Sequence, residues 1–337
     1  MSRTRDKAVV RSSRPWRIGV VAIAGALALS ACSGGGGSTP AASGDAVGDV
    51  SIIQSVAQDF STGGVDFASE QGLWPDGLTV QAQTGGAVAQ ALATGDVQIG
   101  VTSPTRVLGA IFQGLDVSIV GAGEDQWDQQ IIVSKDFAAK DISGLKGARF
   151  GVTSFGSAGE LSVREIAKAE GWADSDYQVV TLGDIAGLTA GLQSGSIDAF
   201  AWGGFAPFQL EQDGTANLLG FVSDIIGDLP TSVIAVRNDF IASNPATVKA
   251  FCDGYYAGNQ YIIDNPEQAA DQYIAWGEDA GAVPPAVEAY APMLATDSSI
   301  SDDAWQGMIE ATQITTGGAD FLDVAGIKKF YKSCDEL

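Results

Sequence analysis

Histidine is absent from the 337 residues, and cysteine and methionine occur only three times each. Without histidine the chain cannot build Ser-His-Asp or Cys-His nucleophilic sites. It also lacks the commonest zinc ligand, and no two cysteines have the CxxC spacing of a metal or redox site. The expectation is a protein that is not an enzyme and needs no cofactor or metal. Positive charge is scarce too: 18 Lys and Arg stand against 41 Asp and Glu, a net charge of −23. Six of the 18 basic residues fall at or before Arg17, so the rest of the chain is more acidic still. Phosphate contacts require clustered basic side chains, so no nucleic-acid partner is expected, and peripheral binding to anionic lipid is disfavoured. After residue 31 no apolar run reaches the ~20 residues that a membrane-spanning helix needs.

What is present begins with an export signal. Arg3, Arg5, Lys7, Arg11, Arg14 and Arg17 precede the uncharged run Ile18–Ala31, whose 14 residues suit the core of a signal peptide. Leu29-Ser30-Ala31-Cys32 resembles the lipobox of bacterial lipoproteins, in which the cysteine thiol receives a diacylglycerol group. Ser33 to Ser38 then form a flexible Gly/Ser tether. The expected division is a signal peptide over 1–31 and a lipidated tether over 32–47, which puts the folded part outside the cytoplasmic membrane. The alternative is an ordinary signal peptide with a chance cysteine. With Cys32 lipidated, Cys252 and Cys334 remain, an even number that reads as a disulfide in an exported protein; two separate buried thiols are the alternative.

The folded part repeats itself at an offset of about one hundred residues. Ala91–Gln98 parallels Gly191–Asp198, Leu78–Gln81 parallels Gln178–Thr181, and Gln71-Gly72-Leu73-Trp74 parallels Glu170-Gly171-Trp172. The first strands are Ser51–Val56 and Arg149–Thr153. Each half reads strand, helix, strand, Gly-rich loop, helix, strand, which predicts a parallel sheet covered by helices on both faces. Two such α/β lobes leave a cleft between them, with loops at strand ends and helix N-termini as its walls. Chance likeness of simple βαβ patterns is the competing explanation. Beyond the strand Thr231–Val236 the chain turns helical, with starts at Ser243-Asn244-Pro245 and Asp264-Asn265-Pro266. Tyr255, Tyr256 and Tyr261 read as packing residues.

Several stretches together resemble the substrate-binding proteins of ABC importers for nitrate, sulfonates, taurine and thiamine-precursor pyrimidines. They are Phe67–Trp74 with Gly77–Val80, Gly85-Gly86 with Ala91–Val97, Ile142–Gly147, Leu192–Ala199, Asn244-Pro245 and Asn265-Pro266-Glu267. The resemblance implies a type II periplasmic-binding-protein fold, two similar α/β lobes with a hinge and a ligand cleft. Lobe I would comprise 48–132 and 233–337, and lobe II 133–232. It further implies a monomer that carries a small molecule to an ABC permease and its ATPase.

By position, the resemblance places ligand contacts at Gln58, Asp59, Thr84, Gly85, Gly86, Ser103, Glu124, Trp127, Ser154, Phe155, Ser157 and Trp202. Thr84-Gly85-Gly86 and Ser154–Ser157 can present bare backbone N–H groups to an anion, or can serve only as helix caps. Arg106 can clamp a carboxylate or sulfonate, or simply face water. Trp127, Phe155, Trp202 and Phe205 can sandwich a flat ring, or pack in the core. Gly203-Gly204 beside Trp202 suggests close backbone approach. Because Asp59, Glu124, Asp125 and Asp128 crowd these loops and would repel an anion, the expected ligand is a neutral or cationic heteroaromatic molecule, with Asp59 and Glu124 accepting its N–H groups. A sulfonate, taurine or nitrate-type anion is the alternative, and a ligand-sensing or adhesion lipoprotein is the alternative outside transport.

Overall fold

The computed structural model describes residues 50–83, 85–316 and 323–337. The signal peptide, Cys32, the tether and Thr84 lie outside the described residues. The first half runs β1 (Val50–Gln54), α1 (Gly63–Glu70), β2 (Leu78–Ala82), α2 (Gly85–Thr94), β3 (Ile99–Thr102), α3 (Pro104–Phe112) and β4 (Val117–Ala122). The second runs β5 (Gln130–Ser134), β6 (Arg149–Val152), α4 (Ala158–Ala169), β7 (Gln178–Thr181), α5 (Ile185–Ser194), β8 (Ala199–Trp202), α6 (Ala206–Gln212), β9 (Ala216–Phe221) and α7 (Ser223–Ile226). The chain then returns through β10 (Val233–Arg237) into α8 (Asn238–Ser243), α9 (Pro245–Asp264), α10 (Pro266–Trp276), α11 (Val283–Tyr290), α12 (Asp302–Thr316) and α13 (Val324–Ile327).

The repeated glycines act as expected. Gly72 and Gly171 follow α1 and α4, and Gly95 and Gly195 follow α2 and α5, all four at positive φ. That conformation stops a helix at little cost only in glycine.

The sheets are not purely parallel, which corrects the expectation. The first has the order β2-β1-β3-β10-β4 and the second β7-β6-β8-β5-β9. β1 is parallel to β2 and β3, but β10 runs antiparallel between β3 and β4. β5 does the same between β8 and β9. Each sheet therefore holds one strand that enters from beyond a crossing between the lobes. The pattern βαβ is local and legible; which strand fills the fourth place depends on where the crossings land.

Both faces of the first sheet are covered, so neighbouring strand residues are buried in opposite directions. Ile52, Ile99, Val101, Ile234 and Val236 pack with Val248, Phe251 and Tyr255 of α9, whereas Ile53 joins Val88 and Leu92 of α2 and Val107 and Leu108 of α3. Near-continuous apolar strands follow from this two-sided burial, at roughly 1.5–3 kcal/mol for each large side chain. Cys252 of α9 and Cys334 form a disulfide, with Cα atoms 6.1 Å apart, which ties the chain end to this layer. Tyr255 and Tyr256 are buried in it as expected. α12 packs on α3 below the first sheet and on α4 below the second, where Lys168 pairs with Glu310.

Candidate functional site

Two crossings join the sheets: residues 123–129 lead from β4 to β5, and 222–232 lead from β9 to β10. They are laced to each other. Gly123 N–H donates to the Ser232 carbonyl at 3.0 Å, Asp128 N–H donates to Thr231 Oγ1 at 3.0 Å, and Val222 N–H donates to the Gln129 carbonyl at 2.9 Å. Glu124 Oε2 accepts from both the backbone N–H and the Oγ of Ser232, each at 2.9 Å.

In front of these crossings lies a cleft of two connected chambers, about 200 Å³ and about 430 Å³, sharing Ser55, Ser61, Arg106, Ser157, Ala158 and Thr231. The smaller is further lined by Thr102, Ser103, Thr105, Trp127, Gly156 and Ser232, and the larger by Asp59, Asp128, Gln129, Ser154, Trp202 and Gly203. Such volumes lie at and below the lower end of small-molecule sites, ~300–1,000 Å³. Local sequence explains the walls. Ser103-Pro104 starts α3, and Ser157 caps α4 by accepting from Glu160 N–H. The positive ends of both helices therefore meet the cleft.

Arg106, in the first turn of α3, is exposed and has no ion-pair or hydrogen-bond partner on its guanidinium among the described residues, whereas Arg149, Arg164 and Arg237 are all paired. A Cβ on Gly86 would sit 3.6 Å from Arg106 Nη1, so the start of α2 leaves space beside the guanidinium. Thr102 is 1 % exposed and its hydroxyl has no partner.

The acids divide into two kinds. Asp59 Oδ1 accepts from Ser61 N–H at 3.0 Å and Oγ at 2.8 Å. Burial pushes its carboxyl above the ordinary range, against those two hydrogen bonds. Asp128 accepts from Gln129 Nε2 at 2.7 Å. Burial, with the nearby Asp59 charge, pushes Asp128 up to about 7. Both side chains abut the opposite lobe: Cβ atoms on Gly203 and Gly204 would fall 2.4 Å from Asp128 Oδ2 and 2.6 Å from Asp59 Oδ2. Glycine is required there, as the Gly203-Gly204 pair suggests. Glu124 is different. At 2 % exposure it lies behind Ser232, and burial and Asp128 hold its carboxyl well above the usual range. It braces the crossings and does not line the cleft, a correction to its expected contact with ligand.

The remaining expected contacts separate as follows. Asp59, Ser103, Arg106, Trp127, Ser154, Ser157 and Trp202 line the cleft. Gln58 does not; it adopts a left-handed φ of 58° and donates its N–H to Asp66. Gly85 and Gly86 open α2 beside the cleft without lining it. The ring sandwich is not assembled. Phe155 is 68 % exposed, and Phe205 packs in the core against Phe60 and Tyr273. Trp127 packs among core residues with its indole N–H donating to Ser162 Oγ at 2.8 Å. Trp202 alone of the four offers a half-buried ring to the larger chamber. The Ser154–Ser157 cradle is partly filled from within, because Gly156 N–H donates to Glu160. Sequence reasoning missed Ser55, Ser61, Thr102, Thr231 and Ser232. Isolated Ser and Thr carry no distinguishing signal, and only their convergence from three separate segments makes a hydroxyl-lined wall.

Two α/β lobes, two crossings and a polar cleft between them define the architecture of the periplasmic binding proteins. The alkanesulfonate-binding protein SsuA from Xanthomonas axonopodis pv. citri, solved with MOPS bound, has this fold: the match has a TM-score of 0.65 over 84% of this chain and 98% of that one, at 16% identity. In sequence, the taurine-binding periplasmic protein of Escherichia coli K12 is 30% identical over 205 residues, 60% of this chain and 61% of that protein. The 4-amino-5-hydroxymethyl-2-methylpyrimidine phosphate synthase of Aspergillus parasiticus is 24% identical over 200 residues, 56% of this chain and 57% of that protein. The NMT1/THI5-like family model matches residues 48–269. The chain belongs to that family, in agreement with the resemblance carried by its motifs.

Proposed function

We propose that this protein is an extracytoplasmic solute-binding component of an ABC importer that captures a small organic anion in the interlobe cleft. The observation that carries the reading is the unpaired Arg106 guanidinium in a chamber walled by Ser and Thr residues, where α3 and α4 bring their N-terminal ends. An arginine with no carboxylate partner, in a wall of hydroxyls, is suited to a sulfonate or carboxylate. The 30% identity to a taurine-binding relative supports the same class. No enzymatic step is assigned: the chain has no histidine, and the acids at the cleft lack a partnered nucleophile.

The lipid on Cys32 holds the protein at the outer membrane face. Ligand enters between the lobes, closure excludes water, and the monomer delivers its ligand to the permease and its ATPase partner. A heteroaromatic ligand remains the second reading, favoured by Trp202 and by acids able to accept ring N–H donors. A thermal-shift panel on the chain starting after Cys32 separates them. A ligand at a hundred times its Kd adds ~2.7 kcal/mol, about 2–4 °C per kcal/mol for a protein of this size. Sulfonates or carboxylates should raise Tm, and Arg106→Gln should abolish the rise. A shift confined to pyrimidines or flavins would establish the second reading, and silence to every solute would favour a sensor or adhesion role.

A further inference from the structure

We propose that an aromatic clasp holds the two lobes together and that ionisation of Asp59 and Asp128 releases it, so that the empty protein is shut in acid and open in mildly alkaline solution. This goes beyond the reading of the cleft as a solute site and does not depend on what the solute is. The clasp is built from both sides. Phe205, which follows Gly203-Gly204 after β8, packs against Phe60 of the β1–α1 loop and Tyr273 of α10, with ring centroids 5.1 and 4.9 Å away. Phe208 of α6 and Phe221 of β9 meet Tyr290 of α11 edge-on at 5.8 and 5.3 Å. Gln130 Nε2 of β5 donates to the Tyr290 hydroxyl at 3.2 Å. α10 packs on α9, which covers the first sheet, whereas β5, β8 and β9 are strands of the second. The rings therefore join the lobes. Parting them would wet apolar surface that is now dry, since Phe60, Phe205 and Tyr273 are at most 7 % exposed.

The opposing force stands at the same seam. Asp59 precedes Phe60 in the chain, and Gly203-Gly204 precede Phe205. Each aspartate keeps one oxygen on a local donor, Ser61 for Asp59 and Gln129 for Asp128, and turns the other toward Gly203-Gly204. Among the described residues no lysine or arginine pairs with either. The groups around them add no compensation. Asp66 of α1, Glu124 behind Ser232 and Glu278 after α10 are acids, and burial holds the Tyr273 and Tyr290 hydroxyls neutral. Arg106 of α3 faces the larger chamber but pairs with neither aspartate. The second lobe meets them with glycines and Phe205, which carry no charge.

Two like charges without a counter-ion cost most while the lobes exclude water and least once water enters between them. With the lobes together, burial and the Asp59 charge push Asp128 up to about 7, against an ordinary 3.8. Opening returns it toward the ordinary value. Protonated acids thus favour the joined lobes, fully below about pH 4, and that preference is lost as pH rises to about 7. Each pKa unit recovered on opening multiplies the open-to-joined ratio about tenfold. The clasp sets the ratio in acid, and the aspartates lower its hold as they ionise.

The test is small-angle X-ray scattering on purified, solute-free protein from about pH 5 to about pH 9, with far-UV circular dichroism at each pH. The radius of gyration of the parent should rise in one step near pH 7, while the dichroism holds, because hinge opening leaves helices and sheets intact. Asp59→Asn together with Asp128→Asn should flatten the step and keep the compact value throughout. Phe205→Ala should give the expanded value already at the acid end. Phe208→Ala, which removes a half-buried ring of the same clasp, makes that comparison if Phe205→Ala does not fold. A radius that ignores pH would overturn the proposal. So would a step that survives both asparagines, a clasp variant as compact as the parent, or a step accompanied by loss of dichroism, which marks unfolding. None of these results touches the solute-site reading, whose failure is read separately by the thermal-shift panel.

Discussion

Asp128→Asn should stabilise the ligand-free protein at pH 8 and do little at pH 4. In the folded state the carboxyl titrates at about 7, against 3.8 when unperturbed, because it is buried and lies near Asp59. Between those values the folded protein holds a proton that the unfolded chain has released. Stability from this group is therefore complete below about pH 4 and is lost as pH rises to about 7. A shift of about three units corresponds to ~4 kcal/mol. That is an upper bound, since the neighbouring carboxyls of Asp59 and Glu124 are also raised and couple to it, and relaxation of the crossings lowers it to ~2 kcal/mol. Asparagine keeps an oxygen for Gln129 Nε2 and carries no charge at any pH. The advantage of the variant should thus grow from near zero at pH 4 to ~2–4 kcal/mol at pH 8. Urea unfolding followed by tryptophan fluorescence, on protein stripped of ligand, reads this as a shift in midpoint at constant slope. A variant less stable than the parent at pH 8, or a difference that ignores pH, would refute the idea that an uncompensated charge sits at the hinge.

Glu124→Gln should become increasingly stabilising as pH rises, because burial and the nearby Asp128 hold the carboxyl well above its usual range; Glu124→Ala strands the Ser232 N–H and Oγ and should cost ~1–3 kcal/mol in the same melts. Equal losses for Gln and Ala would contradict this. Gly204→Ala, at φ 69° and against Asp59 Oδ2, should lower stability by ~1–3 kcal/mol by calorimetry. Reducing the Cys252–Cys334 bond, or replacing both residues with serine, opens a loop of sequence separation 82 and should cost ~3–5 kcal/mol. An unchanged melt under dithiothreitol would mean that this bond does not restrain the unfolded chain.

Local chemistry along the chain determined the repeated α/β halves, the helix stops at Gly72, Gly95, Gly171 and Gly195, and the starts of α9 and α10 after Asn244 and Asn265. These depend on a few neighbouring residues and their allowed dihedrals, so they are legible without a fold. The family was legible for the same reason, as an ordered series of such local signals. The antiparallel strand in each sheet was not, because its neighbours lie across the crossings, a hundred or more residues away for β10 and β3. Nor was the sorting of the site. Glu124, Asp128 and Asp59 look alike as loop acids, yet Glu124 is turned inward onto Ser232 while the other two face Gly203-Gly204. Phe155 and Phe205 look alike as ring donors, yet one is in solvent and the other in the core. Thr102 has no sequence mark at all, and its orphaned hydroxyl exists only because α3, the crossings and α4 converge in front of β3. Side-chain direction, burial and the absence of a partner are properties of the assembled packing, and only the tertiary structure decided them.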